Sequence, residues 1–401
     1  MNSVADAVVV GGGTVGAWAA YFLKRAGLER VVLVEAGTLG QGASSRAAGM
    51  VRAQGGTPTA VRLGLFSQEF YAGQQAELGI DSGFVAQGYY MPCFTEGEVR
   101  AARQRIAMQQ ECGLDVRFAE PDEFDRANPN LAPGRTLGAS FAPGDGYVDP
   151  PRNVLAYTAA LFVVGVEIRE RTAMTGLVID GGRVTGVQTT AGPISTERVV
   201  VTGGPQLRDI GQGLGARIPS AGVRHQVVVT QPHEDLAPER LPMVFDVVAG
   251  IYWRPCEGGL MWGMSNPDEI PGVALEFDWA YYDQMRPRVV ELLPVLGRLG
   301  VRRAWAATID YTPDHLPILG PLLVGDGPTE SLDRVDGVTV AAAGGHGMMW
   351  GPGVSRAAAD LALTGTTDVV DATELGLDRF DPEGRSRLDP DPIALPFPEN
   401  A

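Results

Sequence analysis

The chain has 401 residues, 45% hydrophobic and 20% charged, which are ordinary globular proportions that exclude disorder for the bulk and predict two or three domains. A formal net charge of −16 gives no basis for binding nucleic acid or an anionic membrane. Cys93, Cys112 and Cys256 form no CxxC pair, which argues against a disulfide scaffold or a thiolate metal site and fits a reduced cytoplasm. Lys24 is the one lysine, so unless it lies in the site a Schiff base to substrate or pyridoxal phosphate is excluded. No run approaches the roughly 18 apolar residues of a membrane span, and no targeting signal is expected at the start.

In chain order, residues 5–10 read as a short β-run, and Gly11-Gly12-Gly13-Thr14-Val15-Gly16 follows at once. Helix-forming residues fill 17–26 and stop at Gly27, and 31–35 is a second buried strand ending in Glu35. Together they make a βαβ unit. Residues 37–56 are rich in Gly, Ala and Ser and carry Arg46 and Arg52. Helices are predicted over 61–78 and, as an amphipathic stretch, 96–112. A second α/β stretch predicts a helix over 153–164 and a strand over 166–169. A hairpin of 176–180 with 184–190 follows, then a strand over 199–202 ending at Gly203-Gly204. Residues 223–310 read as antiparallel sheet with one helix, 279–296. A last buried strand, 338–343, runs into Gly344-Gly345-His346-Gly347 and a helix over 352–363. The Asp- and Pro-rich tail from Asp371 is expected to run extended over the surface. The predicted fold class is α/β. A Rossmann-like dinucleotide-binding domain (1–85, 145–217 and 310–375) is interleaved with an antiparallel-sheet α+β substrate domain (86–144 and 218–309), and 376–401 is an extended tail.

Gly11-x-Gly13-x-x-Gly16 is a weak signal by itself in a chain with 53 glycines. Its context carries it: a strand before, a helix after, and an acid closing the next strand. The glycines let the backbone turn and approach a pyrophosphate, the helix N-terminus offers free N–H groups, and Glu35 can accept both ribose hydroxyls. Gly211-x-Gly213-x-Gly215 follows no strand and reads as a helix end and a turn. A nicotinamide enzyme needs no further pyrophosphate clamp. Here residues 40–50 add hydroxyls, a guanidinium and small side chains straight after the second strand, which suits the second half of FAD; a plain Ser-capped helix is the structural alternative.

These segments, with Asp145-Gly146-Tyr147-Val148-Asp149-Pro150 and residues 199–204, 305–320 and 344–353, resemble the D-amino-acid-oxidase-like flavoproteins, in the branch of sarcosine oxidase, glycine oxidase and dimethylglycine oxidase. The resemblance covers nearly the whole chain. It implies FAD contacts from Gly11, Gly13, Thr14, Val15, Gly16, Glu35, Ala36, Ser44, Ser45, Arg46, Ala48, Gly49, Met50, Met174, Thr202, Gly203, Gly204, Gly345, His346, Gly347, Met348 and Met349. The 344–349 loop would lie under the isoalloxazine ring, where the start of the following helix stabilises negative charge. Arg52 resembles the residue from which sarcosine oxidase holds the substrate carboxylate, with Arg254 in reserve. His225, before Gln226, and Tyr252, two residues before Arg254, resemble the pair lining the site of dimethylglycine oxidase, there to orient the amine or take its proton. His346 completes the candidate catalytic set; His233 and His315 receive no role.

Departures from the family pattern carry expectations of their own. Ala307 stands where sarcosine oxidase has its flavin-linked cysteine, and the first histidine is His225, so FAD is expected to be noncovalent. Ile309 stands where glycine oxidase carries an arginine, which disfavours glycine as substrate. At this length no folate-binding half is expected. Met261 replaces a lysine that favours oxygen chemistry in sarcosine oxidase, so modest oxygen reactivity is expected, with charge from protonated His346 or His225, or from Arg254. The expected function is FAD-dependent oxidation of a small carboxylated amine or amino acid, secondary or tertiary favoured, by hydride transfer to flavin N5, giving an imine. Oxygen or another acceptor would take the electrons; no metal is expected, and self-association is left open. The alternatives are an FAD-binding subunit of a multi-subunit amine dehydrogenase and a flavin hydroxylase, the latter disfavoured by Ala342-Ala343 before the last glycines.

Overall fold

The computed structural model describes residues 3–236 and 241–393. Val8, Val9 and their neighbours form the strand Ala7–Val10, buried on both faces. Alternation sends Ala7 and Val9 into a core with the helices Thr14–Arg25 and Gly351–Thr364. Val8 and Val10 enter a second core on the opposite face with Leu207, Ile218 and Ile318. Such a two-sided apolar strand belongs in a parallel sheet covered by helices. The neighbours are Glu167–Arg169, Val31–Val34, Ala7–Val10, Val199–Val201 and Asp333–Ala342, paired parallel in that order. Further strands extend this to a ten-stranded sheet, including the predicted hairpin, observed as Met174–Asp180 with Arg183–Thr189, and the antiparallel strand Ile318–Val324.

A second sheet has eight strands in the order Val301–Tyr311, Ala221–Thr230, Gly259–Met264, Ile251–Cys256, Met243–Asp246, Tyr89–Pro92, Ala139–Ala142 and Arg117–Ala119. All its pairs are antiparallel except Met243–Asp246 with Tyr89–Pro92, where the two sequence-distant parts of the sheet meet. One face carries Val228, Trp253 and Trp262 and packs on the helix Trp279–Leu292. That helix is shorter than its predicted 279–296, because the chain turns at Leu293 into a 3₁₀ turn starting at Pro294. The other face carries Val227, Tyr252 and Met261 and meets Ala48, Met50 and Tyr147 of the first unit.

The tail departs from the expectation of an extended surface segment. It makes 3₁₀ turns at Ala372–Glu374 and Leu377–Arg379 and buries Leu375, Leu377, Phe380 and Ile393. Arg379 is 1% exposed and donates twice to Asp314, which is 0% exposed, at 2.7 and 3.1 Å. Ser386 adds a hydroxyl bond to the same carboxylate. Alternating Asp and Pro hid these apolar and cationic anchors, which follow no helix or strand period. Residues 394–401 of the expected tail lie outside the described residues.

Candidate active site

The helix Thr14–Arg25 starts at Gly13 without a side-chain cap from that residue, so its first turn, apart from the Thr14 N–H, faces an anion site. Gly11 sits at φ +98°, and a Cβ there would lie 2.6 Å from Thr202 Oγ1. A Cβ on Gly16 would lie 1.9 Å from the Gly11 carbonyl oxygen. Glycine at both places lets the strand, the turn and the helix close on one another. Thr202 Oγ1 donates to the Val10 carbonyl at 2.6 Å, tying the third parallel strand to the same turn. Gly203 and Gly204 follow it.

Glu35 stands at the mouth of the turn and accepts the Gly12 and Gly37 N–H groups at 2.6 and 2.7 Å, with Ala36 exposed beside it. The short helix Ala43–Arg46 has Gly42 as its N-cap with no side-chain bond, so the plain Ser-capped helix is not what forms. Ser44 Oγ instead accepts the Thr14 N–H at 2.9 Å, across to the first helix. An uncapped helix start, a hydroxyl beside it and a carboxylate at the next strand end fit a dinucleotide: N–H groups for the pyrophosphate, the acid for ribose. Ser45 and Arg46 complete that short helix, and the Arg46 carbonyl accepts the Trp305 indole N–H at 2.8 Å. Met174 opens its strand at the edge of the second core.

The 343–350 loop joins Asp333–Ala342 to the helix Gly351–Thr364. His346 Nδ1 lies 2.9 Å from the Gly344 carbonyl, and its ring packs on Trp350 at 4.0 Å. The Met348 carbonyl accepts the Tyr71 hydroxyl at 3.0 Å. Met348 and Met349 are buried, whereas a Cβ on Gly347 would meet nothing within 4 Å.

Strand alternation gathers the candidate substrate residues. Tyr252 and Arg254 lie on one face of Ile251–Cys256, and His225 and Val227 on the same face of Ala221–Thr230. His225 Nε2 and the Tyr252 hydroxyl are 2.5 Å apart, with the rings parallel within 10°. The Tyr252 ring lies across Gly263, where a Cβ would stand 2.2 Å from its hydroxyl. Phe245 meets Tyr252 edge-on at 6.5 Å, and the Arg52 guanidinium sits 5.6 Å from the centre of the Phe245 ring. A continuous line therefore runs from Arg52 through Phe245 and Tyr252 to His225. Although surrounded by protein, His225 keeps a partly accessible face. Burial pushes its imidazole down to about 4 and holds the Tyr252 phenol well above its ordinary value.

Arg52 is buried and donates to the Gln54 carbonyl and, at 3.0 Å, to the Ile393 carbonyl. Arg254 donates to the carbonyls of Ala48, at 2.7 Å, and Pro255, and lies over the Tyr147 ring. It braces the Ala48-Gly49-Met50 segment rather than standing free as a reserve. Burial disfavours the expected charge from a protonated histidine. Burial, joined by the Arg52 guanidinium, pushes His346 down to about 3, so both His346 and His225 are neutral near pH 7.

Several residues of this region carried no readable signal. Asn153 is fully buried and bonds to Thr14, Trp18 and Ser82, linking three segments around the cofactor cradle. Asp145, quoted above only within a motif, is fully buried beneath Arg52 and accepts from Ala53, Gln54 and Gln68; burial pushes its carboxyl up. Asp310 is pushed up to about 6 by burial, while the N–H groups of Gly344 and Ala343 favour its charged form. Among the described residues no cluster of His, Cys, Asp or Glu could hold a metal, and no helix is long and apolar enough to cross a membrane.

The chain is 27% identical over 383 residues to 4-methylaminobutanoate oxidase (formaldehyde-forming) of Paenarthrobacter nicotinovorans, covering 93% of this chain and 45% of that protein. It thus spans less than half the length of that relative. Sarcosine oxidase subunit beta of Rhodobacter capsulatus is 26% identical over 381 residues, covering 94% of this chain and 88% of that one. Among solved structures, L-proline dehydrogenase from P. horikoshii is similar with a TM-score of 0.86 at 27% identity, covering 96% of this chain and 100% of that chain. The expected resemblance and fold class are borne out. Residues 6–361 match the DAO family of FAD dependent oxidoreductases, and the chain belongs to that family.

Proposed function

We propose that this chain oxidises a small carboxylated amine, a secondary or tertiary amine in preference to glycine, with noncovalently held FAD. FAD, when bound, supplies the two-electron acceptor for oxidation of the carbon next to nitrogen, which leaves an imine from a secondary amine and an iminium ion from a tertiary one. The observation that carries the reading is the neutral His225–Tyr252 pair, joined through Phe245 to a buried arginine on the sheet face that meets the cofactor segment. Arg52 offers a guanidinium fork to a carboxylate. In this reading the Tyr252 hydroxyl donates in the 2.5 Å bond and His225 Nε2 accepts. The remaining imidazole proton then sits on Nδ1, facing Ser265 Oγ at 3.5 Å. A neutral pair beside the amine avoids adding positive charge where the reacting nitrogen must lose its own proton. Gly11 to Gly16, Glu35, Ser44 and the 344–349 loop hold the cofactor in this reading. Segments 1–85, 145–217 and 310–375 form its domain, as the membership of the ten-stranded sheet supports.

Ala307 pairs with His225 in register and offers no nucleophile for a flavin link, which supports noncovalent FAD. Acid precipitation should leave the yellow colour in the supernatant; flavin travelling with the denatured protein band overturns that part. A cytoplasmic location and electron transfer to oxygen or another acceptor belong to the same proposal. The decisive experiment is anaerobic bleaching of the flavin across N-methyl amino acids, cyclic imino acids and D-amino acids. The reading fails when none of these bleaches it.

One observation favours a second reading, a subunit of a larger amine dehydrogenase. Ile270, Val273, Leu275 and Trp279 are all at least half exposed along one short stretch, and a relative covered over 88% of its length is itself named a subunit. Co-purification of partner chains, with loss of turnover when they are removed, would favour it.

A further inference from the structure

The C-terminal segment reaches the substrate face. Ile393 is 1% exposed and belongs to the apolar cluster of Tyr89, Val227, Phe245, Tyr252 and Met261. Its carbonyl accepts from Arg52 at 3.0 Å, and its N–H donates to Asp391 Oδ1 at 3.0 Å. Asp391 is itself held twice: its N–H donates to the Asp314 carbonyl at 3.1 Å, and Oδ2 accepts the Gly56 N–H at 3.3 Å. A Cβ on Gly56 would fall 2.0 Å from Asp391 Oδ1, so the fit is close. Upstream, Arg379 and Ser386 anchor the segment to the Asp314 carboxylate. The chain is thus fixed at three places so that one isoleucine stands among the residues that would surround the substrate, with its carbonyl on the arginine that would hold the carboxylate.

We propose that Ile393 is a specificity-determining residue. Its side chain closes the apolar wall of the substrate site and limits the size of the substituent that an aliphatic carboxylated amine can place there. Its carbonyl holds one Arg52 donor and fixes the direction of the remaining guanidinium edge. The inference rests on the proposed substrate site and deepens it: the substrate class becomes carboxylated amines bearing a compact alkyl group. A purely structural plug would lower stability on truncation and leave discrimination among substrates unchanged. A wall residue changes discrimination, because room for one methylene is worth about 10-fold or more between neighbours in a series.

The test uses the full-length holoprotein and its Ile393→Val, Ile393→Ala and Ile393→Phe variants, each checked for flavin content and melting temperature. Acetate, propionate, butyrate and valerate are titrated and read by perturbation of the flavin absorption spectrum, which needs no turnover. Anaerobic bleaching rates with N-methyl-, N-ethyl- and N-propylglycine are measured beside them. The expected result is that Ile393→Ala shifts the long-to-short preference at least about 10-fold toward the longer member of either series. Ile393→Phe should shift it the opposite way, and Ile393→Val should shift it slightly toward the longer members. Unchanged ratios in folded, flavin-bearing variants, with wild type still binding the carboxylates, overturn the role of Ile393 alone. Wild type that neither binds a carboxylate nor is bleached by any amine overturns the site reading and this inference together. If Ile393→Ala does not fold, the ratios of the Val and Phe variants decide.

Discussion

Arg52 shows how much of the site can be read from a residue in its sequence. Its position after the Gly-rich segment was legible through its resemblance to the residue from which sarcosine oxidase holds the substrate carboxylate, a role that a planar guanidinium suits. The surroundings were not. Asp145 and Phe245 come to it from distant parts of the chain, and the carbonyls it holds belong to Gln54 and Ile393. A charge-assisted contact to a carboxylate in a dry site is worth about 1.5–3 kcal/mol, a factor of roughly 10–150. Arg52→Ala is therefore expected to raise KM by at least about tenfold while flavin content stays near that of wild type. Arg52→Lys should recover only part of this, because an ammonium lacks the planar fork. Loss of flavin with KM unchanged would make Arg52 a cofactor residue. His225 and Tyr252 were singled out by their resemblance to the pair of dimethylglycine oxidase; in the structure, period-two alternation sets which side chains share a face, and the tight turn at Glu257-Gly258 sets the register that pairs Tyr252 with Gly263.

That register makes the Ile251–Met264 hairpin the element on which the His225–Tyr252 contact depends. The Tyr252 ring can lie flat beside His225 only because its cross-strand partner has no side chain. In Gly263→Ala the new methyl meets the far end of the ring, which can swing aside, so the fold survives at a loss of about 1–3 kcal/mol. The hydroxyl then leaves His225. The expected outcome is a fall in kcat of tenfold or more with normal flavin content, and Tyr252→Phe should reproduce most of it without the loss of stability. Equal turnover in wild type and Gly263→Ala would sink the argument. Elements of this kind were read well wherever a period was strong: the first βαβ unit, the Met174–Thr189 hairpin and the helix after the 344–349 loop. The parallel seam between Met243–Asp246 and Tyr89–Pro92 was not readable, since no local pattern says which distant strand will be the neighbour.

At the scale of the whole molecule, the tail and the buried histidines set how the parts hold together. Arg379 and Asp314 form a buried two-bond pair between the tail and the loop after Val301–Tyr311. Removing one partner of such a pair leaves a buried charge alone, so Arg379→Ala should lower stability by about 3–5 kcal/mol, read as a shifted urea midpoint. An unshifted midpoint would mean that the tail is not integral to the fold. The pH dependence of stability tests the interior more broadly. Burial pushes His225 down to about 4 and His346 to about 3, and it also lowers His315. Each is a base whose folded pKa lies below its unfolded value of about 6.5. Below that value the unfolded chain binds protons that the folded chain refuses, so stability must fall as pH drops. Between pH 6.5 and 5 the fall should be on the order of 2 kcal/mol for His346, and less for the partly accessible His225. Asp310, pushed up to about 6, takes up a proton in the folded chain over the same window and works in the opposite direction, so the histidine contribution is read as the difference between wild type and His346→Gln. Urea midpoints of the holoprotein at pH 7.5, 6.5, 5.75 and 5 should therefore decline steadily below 6.5, and His346→Gln should flatten the curve even where it lowers the midpoint itself. A slope in His346→Gln as steep as that of wild type would mean that the His346 imidazole takes up its proton in the folded protein, and positive charge would then stand in the 344–349 loop.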